Sequence, residues 1–281
     1  MPNPSVLRRC FLALGTALAF LMAACLLANG QVTERACNDA HCATIERETS
    51  GYAVLRANDP RPLRHAMEAL REEYGWIVHY EDPPYLSDRV LVDIAPAQWH
   101  AAHPGKKGFV IPAGGAFQST YAEAPDIGNP ASSEEAVLKK IVSDYNQTTN
   151  PGKFTVRKQS DGSYVVTATA IEDDAGREIP VSHILDTPLT LPTLTRNAET
   201  TLELIVDAIS AKSGAVCRIG GGPMNLANIL HHSEVTVGGT DIAARELVQQ
   251  FIHGLGFRVW DLWFEPNLHQ YALIVDRDRR F

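Results

Sequence analysis

The pattern of apolar positions is clearest between residues 187 and 277, where helical and strand periods alternate. Residues 197–212 carry apolar side chains at spacings of four and three, which places them on one face of a helix. The residues on that face are Leu202, Val206 and Ile209. Gly214 is placed to end this helix, because glycine readily takes the left-handed conformation that closes a last turn. The alternation in residues 215–219 then predicts a strand.

The remainder of this stretch predicts a second helix and a hairpin. A short strand at residues 235–237 precedes Thr240, which is a good N-cap for an amphipathic helix that ends at Gly254. Residues 257–264 and 271–275 are rich in aromatic and branched side chains and are separated by a turn sequence, so they predict a hairpin. Both helices must bury an apolar face, and two helices on one face of a small sheet satisfy that need.

These residues also carry a family resemblance. The run from Thr240 to Val275 is a helix that ends in Phe251-Ile252-His253-Gly254-Leu255-Gly256-Phe257 and is followed by a hairpin. It resembles the short N-terminal domain (STN domain) of secretins and TonB-dependent receptors, which has a βαββαβ arrangement and a GTGL turn before its last hairpin. Leu255-Gly256-Phe257 stands at that turn without the threonine. The resemblance implies a non-enzymatic domain that contacts envelope proteins, in a free-standing relative of those channels and receptors.

The first half of the chain repeats the pattern. With Gly75 placed on Gly214, one offset of 139 residues superimposes the apolar positions of two segments. The matched pairs are Leu63 with Leu202, Met67 with Val206, Leu70 with Ile209 and Ile77 with Val216. We therefore predict that residues 51–170 are an interrupted copy of residues 187–277.

The interruption is expected after a strand at Val90–Ile94, which would take the place of residues 235–237. An insertion would then span residues 95–130 and carry a hairpin of its own, with residues 109–112 against residues 116–121. The remaining elements of this copy are a helix from Ser132 and a hairpin of residues 154–158 and 163–169.

The predicted fold class is therefore α+β, with two tandem βαββαβ domains that each form a small sheet with two helices on one face. The first domain is enlarged by the insertion. The predicted boundaries are 1–30 for an export signal, 31–50 for a tether, 51–170 for the first domain with its insertion at 95–130, 171–186 for a connector and 187–277 for the second domain.

The N-terminus has the layout of an export signal, because Arg8 and Arg9 precede a nearly continuous apolar run from Cys10 to Ala28. Three outcomes remain open. Lipoprotein processing would leave a lipidated Cys25, ordinary signal peptidase would cleave after Gly30, and an uncleaved segment would be just long enough to span a bilayer. We expect an exported protein of the periplasm or the outer membrane.

The net charge of the chain excludes some classes of binding partner. The net charge is −8, and loss of two arginines with the leader would make it more negative by two. A chain of this kind offers no basic stripe for phosphates, which argues against nucleic acid and against electrostatic docking on anionic lipid. The expected partner is an envelope protein, with membrane contact only through a lipid anchor.

Three cysteines lie beyond the leader. Cys37 and Cys42 are close enough in sequence to form a local disulfide in an oxidising compartment. Metal binding by Cys37, His41 and Cys42 is the alternative, but it lacks a second half-site. Cys217 lies alone in an apolar strand and is expected to be buried.

No motif indicates catalysis or a cofactor. The sequence contains no recognisable nucleophile–base–acid set, zinc signature, phosphate loop or dinucleotide fingerprint, so no metal, no cofactor and no catalytic residue are predicted. Glu81-Asp82 before two prolines is interpreted as a solvated turn, and His231-His232 as surface side chains.

Two groups of residues are candidates for binding. Trp99, His100 and His103 lie in the insertion, where functional residues are often carried on a plain scaffold. Trp260 and Trp263 lie in the penultimate strand on opposite faces, and either packing between the copies or partner binding would explain them. The predicted function is an exported non-enzymatic binding module of the bacterial envelope. The alternative is an envelope hydrolase with His100 and His103 in a cleft.

Overall fold

The computed structural model describes residues 42–49, 51–58, 60–123, 130–221 and 226–276, all within one compact unit. Cys25 and Cys37 lie outside these ranges, so the export signal, the lipidation and the disulfide stay predictions. Within the described ranges no helix is long and apolar enough to cross a membrane.

The described ranges contain six helices and fourteen strands, which confirms the α+β class. The helices are α1 (Pro62–Tyr74), α2 (Ala97–Ala102), α3 (Pro130–Asn146), α4 (Ala198–Ser213), α5 (Leu226–His232) and α6 (Ala244–Gly254). The strands are β1 (Ala43–Arg47), β2 (Tyr52–Ala57), β3 (Val78–Glu81), β4 (Leu91–Asp93), β5 (Val110–Pro112), β6 (Phe117–Ala122), β7 (Lys153–Lys158), β8 (Tyr164–Glu172), β9 (Glu178–Pro180), β10 (Pro188–Asn197), β11 (Val216–Ile219), β12 (Glu234–Ala243), β13 (Val259–Glu265) and β14 (Gln270–Asp276).

The chain forms two halves with the same connectivity. In the first half (residues 43–172), β2 pairs with β6, β3 runs parallel to β8, and β7 and β8 form a hairpin. In the second half (residues 188–276), β10 pairs with β12, β11 runs parallel to β14, and β13 and β14 form a hairpin. In both halves a helix precedes the parallel strand and another precedes the hairpin.

Strands of both halves lie in one sheet, whose order is β11-β14-β13-β3-β8-β7, with β9 beside β8. The halves meet where β13 runs parallel to β3, with Asp261 opposite Tyr80. Tyr80 belongs to the core of the first half, whereas Leu262, the neighbour of Asp261, belongs to the core of the second half. Because successive side chains alternate, the two cores lie on opposite faces of this sheet. A division into two domains stays a prediction.

Local sequence explains the helices that carry these cores. α1 begins with a proline, whose fixed φ suits a first turn, and ends at Gly75 with φ 71°. α4 is capped by Asn197, whose side chain accepts a hydrogen bond from the Thr200 N–H, and it ends at Gly214 with φ 77°. The six helical residues that the repeat matched are all buried.

The strand predicted at Val90–Ile94 is only partly correct. Leu91–Asp93 is a strand, but it pairs with β5, and β6 takes the place that β12 has in the second half. The predicted hairpin of residues 109–112 with residues 116–121 is therefore wrong, because its two strands pair with β4 and β2. Residues 82–116 lie between β3 and β6, where the second half has only residues 220–233 between β11 and β12, and we use the term insertion for residues 82–116 below.

The predicted N-cap at Thr240 is also wrong. β12 continues to Ala243, because Ile242 and Ala243 pair with Leu189 and Pro188 of β10. α6 starts only after Ala243, whose side chain forms no cap.

The predicted tether and connector both contain packed structure. β1 lies within the predicted tether, pairs antiparallel with β2, and packs Ile45 against the first core. β9 lies within the predicted connector and pairs with β8, and Ile184 and Leu185 are buried in the second core. The hairpins β7–β8 and β13–β14 form as predicted.

Candidate functional site

The insertion at residues 82–116 is built around the two-stranded ladder of β4 and β5. Val92 faces Ile111 across this ladder, and the Ile94 N–H donates to the Phe109 carbonyl at 2.7 Å. Because side chains alternate along a strand, these four residues share one face, which we call the insertion face. Leu91, Val110 and Pro112 share the other face, where Leu91 packs against the second core and Val110 is buried.

The insertion face is apolar and open to solvent. Val92, Ile94 and Phe109 are 44%, 54% and 66% exposed, and Ile111 is half-buried. Four of the ten large apolar side chains that are exposed in the described ranges belong to the insertion, with Leu86 as the fourth. Single exposed apolar side chains are normal, but several on one face mark an interaction site.

A side chain of the second half fixes the ladder from its edge. Asn267, in the turn between β13 and β14, accepts a hydrogen bond from the Val110 N–H at 3.0 Å and donates one to the Val110 carbonyl at 3.1 Å. The Asn267 amide thus satisfies the two backbone groups of Val110 that would otherwise pair with a neighbouring strand. Leu268, the next residue, is 66% exposed. The insertion is therefore held by both halves.

The three predicted residues of the insertion come together at α2. The Trp99 ring stacks on His103 at 4.4 Å between centroids and meets the edge of His100 at 5.3 Å. A Cβ added to Gly108 would lie 3.1 Å from the Trp99 ring, so this indole covers the backbone just before Phe109. Trp99 thus supports the end of the ladder.

The histidines of this group have structural partners. His103 Nδ1 lies 2.9 Å from the Trp99 carbonyl, and His100 Nε2 lies 3.6 Å from Asp93 Oδ2. Asp93 also accepts hydrogen bonds from the N–H groups of Gly108 at 2.7 Å and Ala95 at 2.9 Å. These two backbone donors, with smaller help from His100, lower the pKa of Asp93. Asp93 is therefore an ionised carboxylate that ties the loop together.

Trp260 lies in the interface between the halves and has no exposed surface. It stacks on His79 at 4.6 Å with an interplanar angle of 6°, and its Nε1–H donates to Gln249 at 3.0 Å. Burial lowers the pKa of His79 to about 3, so this imidazole is neutral. Solvent-borne ligands do not reach Trp260 in this arrangement.

Trp263 is half-buried on the other face of β13, beside α1. The guanidinium carbon of Arg64 lies 4.3 Å from its ring centroid, and that of Arg61 lies 5.5 Å away. Both distances are typical of cation–π contacts. Each tryptophan of β13 therefore contacts the first half.

Buried ion pairs fill the junction of the halves. Arg71 donates to both oxygens of Asp261, at 3.1 and 2.5 Å, and Arg245 of α6 donates to Glu81 at 2.7 Å. Burial by itself would raise the pKa of Asp261, but Arg71 and Arg64 hold it below its ordinary value. One partner left alone in such a pair is costly, so these pairs fix one register of β13 on β3.

The interpretation of Glu81-Asp82 as a solvated turn is wrong. Glu81 is 1% exposed and Asp82 is 3% exposed, because they pair with Arg245 and with Arg61 at 2.6 Å. No local pattern in the sequence indicates these pairs, because Arg61 lies 21 residues from Asp82 and Arg245 lies 164 residues from Glu81.

A cleft of about 260 Å³ also lies at the junction, between α6 and the turn at residues 159–161. Gln249 donates to Asp161 at 2.6 Å and lies 2.9 Å from His253 Nε2. These polar groups bond to one another across the cleft. In the described part of the chain, no group of three His, Cys, Asp or Glu side chains could hold a metal ion.

The three cysteine predictions have different outcomes. Cys42 is 4% exposed just before β1, and the residues named with it for disulfide formation or metal binding lie outside the described ranges. Cys217 is completely buried as predicted, and burial raises the pKa of its thiol to about 12. His231 and His232 are exposed as predicted, at the end of α5.

Comparisons with known proteins give no relative. No family model matches the chain, and neither a curated protein nor a solved structure matches it.

Proposed function

We propose that this chain is an exported, non-enzymatic binding module of the bacterial envelope, and that a protein partner docks on the insertion face. The observation that carries this proposal is the exposure of Val92, Ile94 and Phe109 on one side of a ladder whose other side is packed. Apolar side chains that stay in water in the free protein gain free energy when a partner covers them, at roughly 25 cal/mol for each Å² removed from water.

The rigidity of the ladder supports the same proposal. Asn267 holds Val110 through two hydrogen bonds, and Trp99 covers Gly108. A face that is already ordered loses little conformational entropy on binding, and this favours affinity.

We also propose that the halves are two STN-like domains, the first enlarged by the insertion. Support comes from their common connectivity, in which a parallel strand pair and a C-terminal hairpin recur in the same order. The residues around Leu255-Gly256-Phe257 supply the resemblance. In that family such domains contact other envelope proteins, which agrees with a binding role.

Site-specific photo-cross-linking tests the location of the site. A photoreactive amino acid replaces Phe109 in the full-length chain, expressed in the producing cell, and a second strain carries it at Leu204 of α4. Leu204 is also exposed, at 41%, but lies in the second half. We expect a discrete cross-linked protein from position 109 and none from position 204.

A pair of substitutions supplies the control for folding. Ile94→Ser with Phe109→Ser is expected to abolish binding of the captured protein to the purified chain without changing the melting temperature, because both side chains are exposed. Leu204→Ser with Val216→Ser removes two similarly exposed side chains elsewhere and is expected to bind normally. Equal cross-linking at both positions, or binding that survives the first pair, would contradict the proposal.

A further inference from the structure

The segment around the insertion face has a charge that differs from that of the chain. Between Asp93 and Glu123 the sequence contains Lys106 and Lys107 but no acidic residue, although acidic residues outnumber basic ones in the chain, 33 to 25. Two acidic groups that contact this segment in the structure already have partners. Asp88 pairs with Lys107, and Asp93 accepts two backbone hydrogen bonds.

The lysines lie at the Phe109 end of the insertion face. They occupy the loop between α2 and β5, and the Gly108 N–H that follows them is anchored to Asp93 at 2.7 Å. Both side chains are exposed, and Lys106 has no ion-pair partner among the described residues. His103, also exposed, stacks on Trp99 in the same loop. The face therefore has a cationic rim at one end.

We propose that the insertion face takes a protein segment in which apolar side chains are flanked by carboxylates; this inference rests on the proposed function. The apolar side chains cover Ile94 and Phe109, and the carboxylates meet Lys106 and compete with the exposed Asp88 for Lys107. Apolar contact supplies most of the affinity of such a site, while complementary charge sets orientation and speeds association. The Debye length is about 8 Å at physiological salt, so the lysines attract only charges that dock next to them.

An anionic membrane fits these observations less well. Segments that bind acidic lipid usually carry about four to eight basic residues, each worth about 1 kcal/mol near the surface. This rim has two lysines, and one of them is paired with Asp88. The net charge of −8 also repels an anionic surface.

Charge reversal tests the inference with the photoreactive residue kept at position 109. Lys106→Glu with Lys107→Glu is compared with Lys139→Glu and Lys140→Glu on α3. The control lysines are also adjacent and exposed, so the net charge changes equally. Reversal at the rim is expected to lower capture about tenfold at 0.05 M salt and by much less at 0.5 M, whereas the control pair captures normally. Mass spectrometry should find Asp or Glu beside the cross-linked residue of the partner.

The other outcomes show whether this inference alone or also the proposed function is wrong. Capture that needs Phe109 but ignores both charge reversals, or a partner contact without carboxylates, overturns this inference and leaves the proposed function standing. No capture at position 109 in the unmodified background overturns both. Purified protein is also mixed with vesicles that contain about 30% anionic phospholipid. Sedimentation with the vesicles that is lost in the Ile94→Ser, Phe109→Ser variant assigns the face to lipid and overturns the inference.

Discussion

The two halves use the same position of their first helix in different ways. In the first half, Arg71 of α1 donates from Nε to the Val78 carbonyl at 2.6 Å and continues to Asp261 of β13. In the second half, offset by the same 139 residues, Ser210 of α4 bonds to the backbone of Cys217 at 2.9 and 3.2 Å and reaches no further. The long Arg71 side chain thus connects β3 to the neighbouring strand β13. The short Ser210 side chain only covers the outer edge of β11.

The other end of the sheet is closed in a similar way. Asn146 donates to the Phe154 carbonyl at 2.8 Å and accepts from the Phe154 N–H at 2.9 Å, so its amide covers part of the outer edge of β7. Exposed strand edges promote aggregation, and proteins commonly block them. The two inner edges, on β3 and β13, pair with each other and are also linked by ion pairs, whereas the two outer edges carry neutral caps.

Replacing Arg71 by serine, the residue at the equivalent position of the second half, should lower the stability of the protein most. Arg71→Ser leaves Asp261 buried with the Tyr80 N–H at 3.2 Å and Arg64 Nε at 3.6 Å, and we expect the free energy of unfolding at pH 7 to fall by about 3 kcal/mol. Urea denaturation measures it. Arg56→Ser, which removes an exposed pair with Glu46, should cost less than about 0.5 kcal/mol.

Lowering the pH should reduce the difference in unfolding free energy between the Arg71→Ser variant and the unmodified protein. The pKa of Asp261 is lowered in the folded protein, so its pair stabilises the fold above the unfolded-state pKa of about 4. That stabilisation is lost as the pH falls through the folded-state pKa. A variant within 1 kcal/mol of the unmodified protein at pH 7 would show that the junction does not depend on Arg71.

Removing the Ser210 hydroxyl should lower the stability of the protein by a smaller amount. Ser210→Ala deprives the Cys217 N–H of its acceptor at 2.9 Å, and we expect a loss of about 1 kcal/mol in the free energy of unfolding. Thermal denaturation with hydrogen exchange at Cys217 measures both the loss and its location. Ser143→Ala, at an exposed helical position, is the matched control. Unchanged exchange at Cys217 would mean that Ser210 does not protect this edge.

The smallest effect on stability is expected at Glu134 in the first half, and it should depend on pH. Burial raises the pKa of Glu134 in α3 to about 7, although Lys158 opposes the shift. The unfolded chain therefore loses this proton at lower pH than the folded one, and stability falls as the pH rises from about 4.5 to about 7.

Glu134→Gln should remove that loss. Because the side chain is half-buried and partly screened by water, we expect a gain of at most about 1 kcal/mol at pH 8 and none at pH 4. Urea denaturation of both proteins across this range checks it. A gain of equal size at pH 4 would assign the effect to something other than ionisation.

The sequence predicted local elements better than their pairing. The spacing of Leu202, Val206 and Ile209 predicts α4 correctly, because helical periodicity is a property of neighbouring residues. The partner of a strand is not local. Val90–Ile94 shows β propensity, but nothing in it indicates that it pairs with β5 while β6 takes the equivalent place in the repeat. Thr240 is a good cap by composition, and pairing of Ile242 with Leu189 overrides it.

The candidate site was found in part. An aromatic and histidine-rich insertion pointed to Trp99 and its neighbours, which do lie together. The insertion face was missed, because exposure of Ile94 and Phe109 follows from β4–β5 pairing across sixteen intervening residues. Strand alternation leaves two explanations for Trp260, packing between the copies or partner binding, and only the contact with His79 in the structure decides for packing.

The position of β13 has a consequence for the order of folding. This strand is synthesised long after β3, yet it lies between β14 and β3, and its Asp261 meets Arg71 across 190 residues. Contacts so distant in sequence form slowly. Until residues 259–265 are available, β3 has an open edge, and Glu81 and Asp82 lack part of their surroundings. A nascent or truncated chain that ends before residue 259 would therefore expose this edge of β3 to chaperones and proteases.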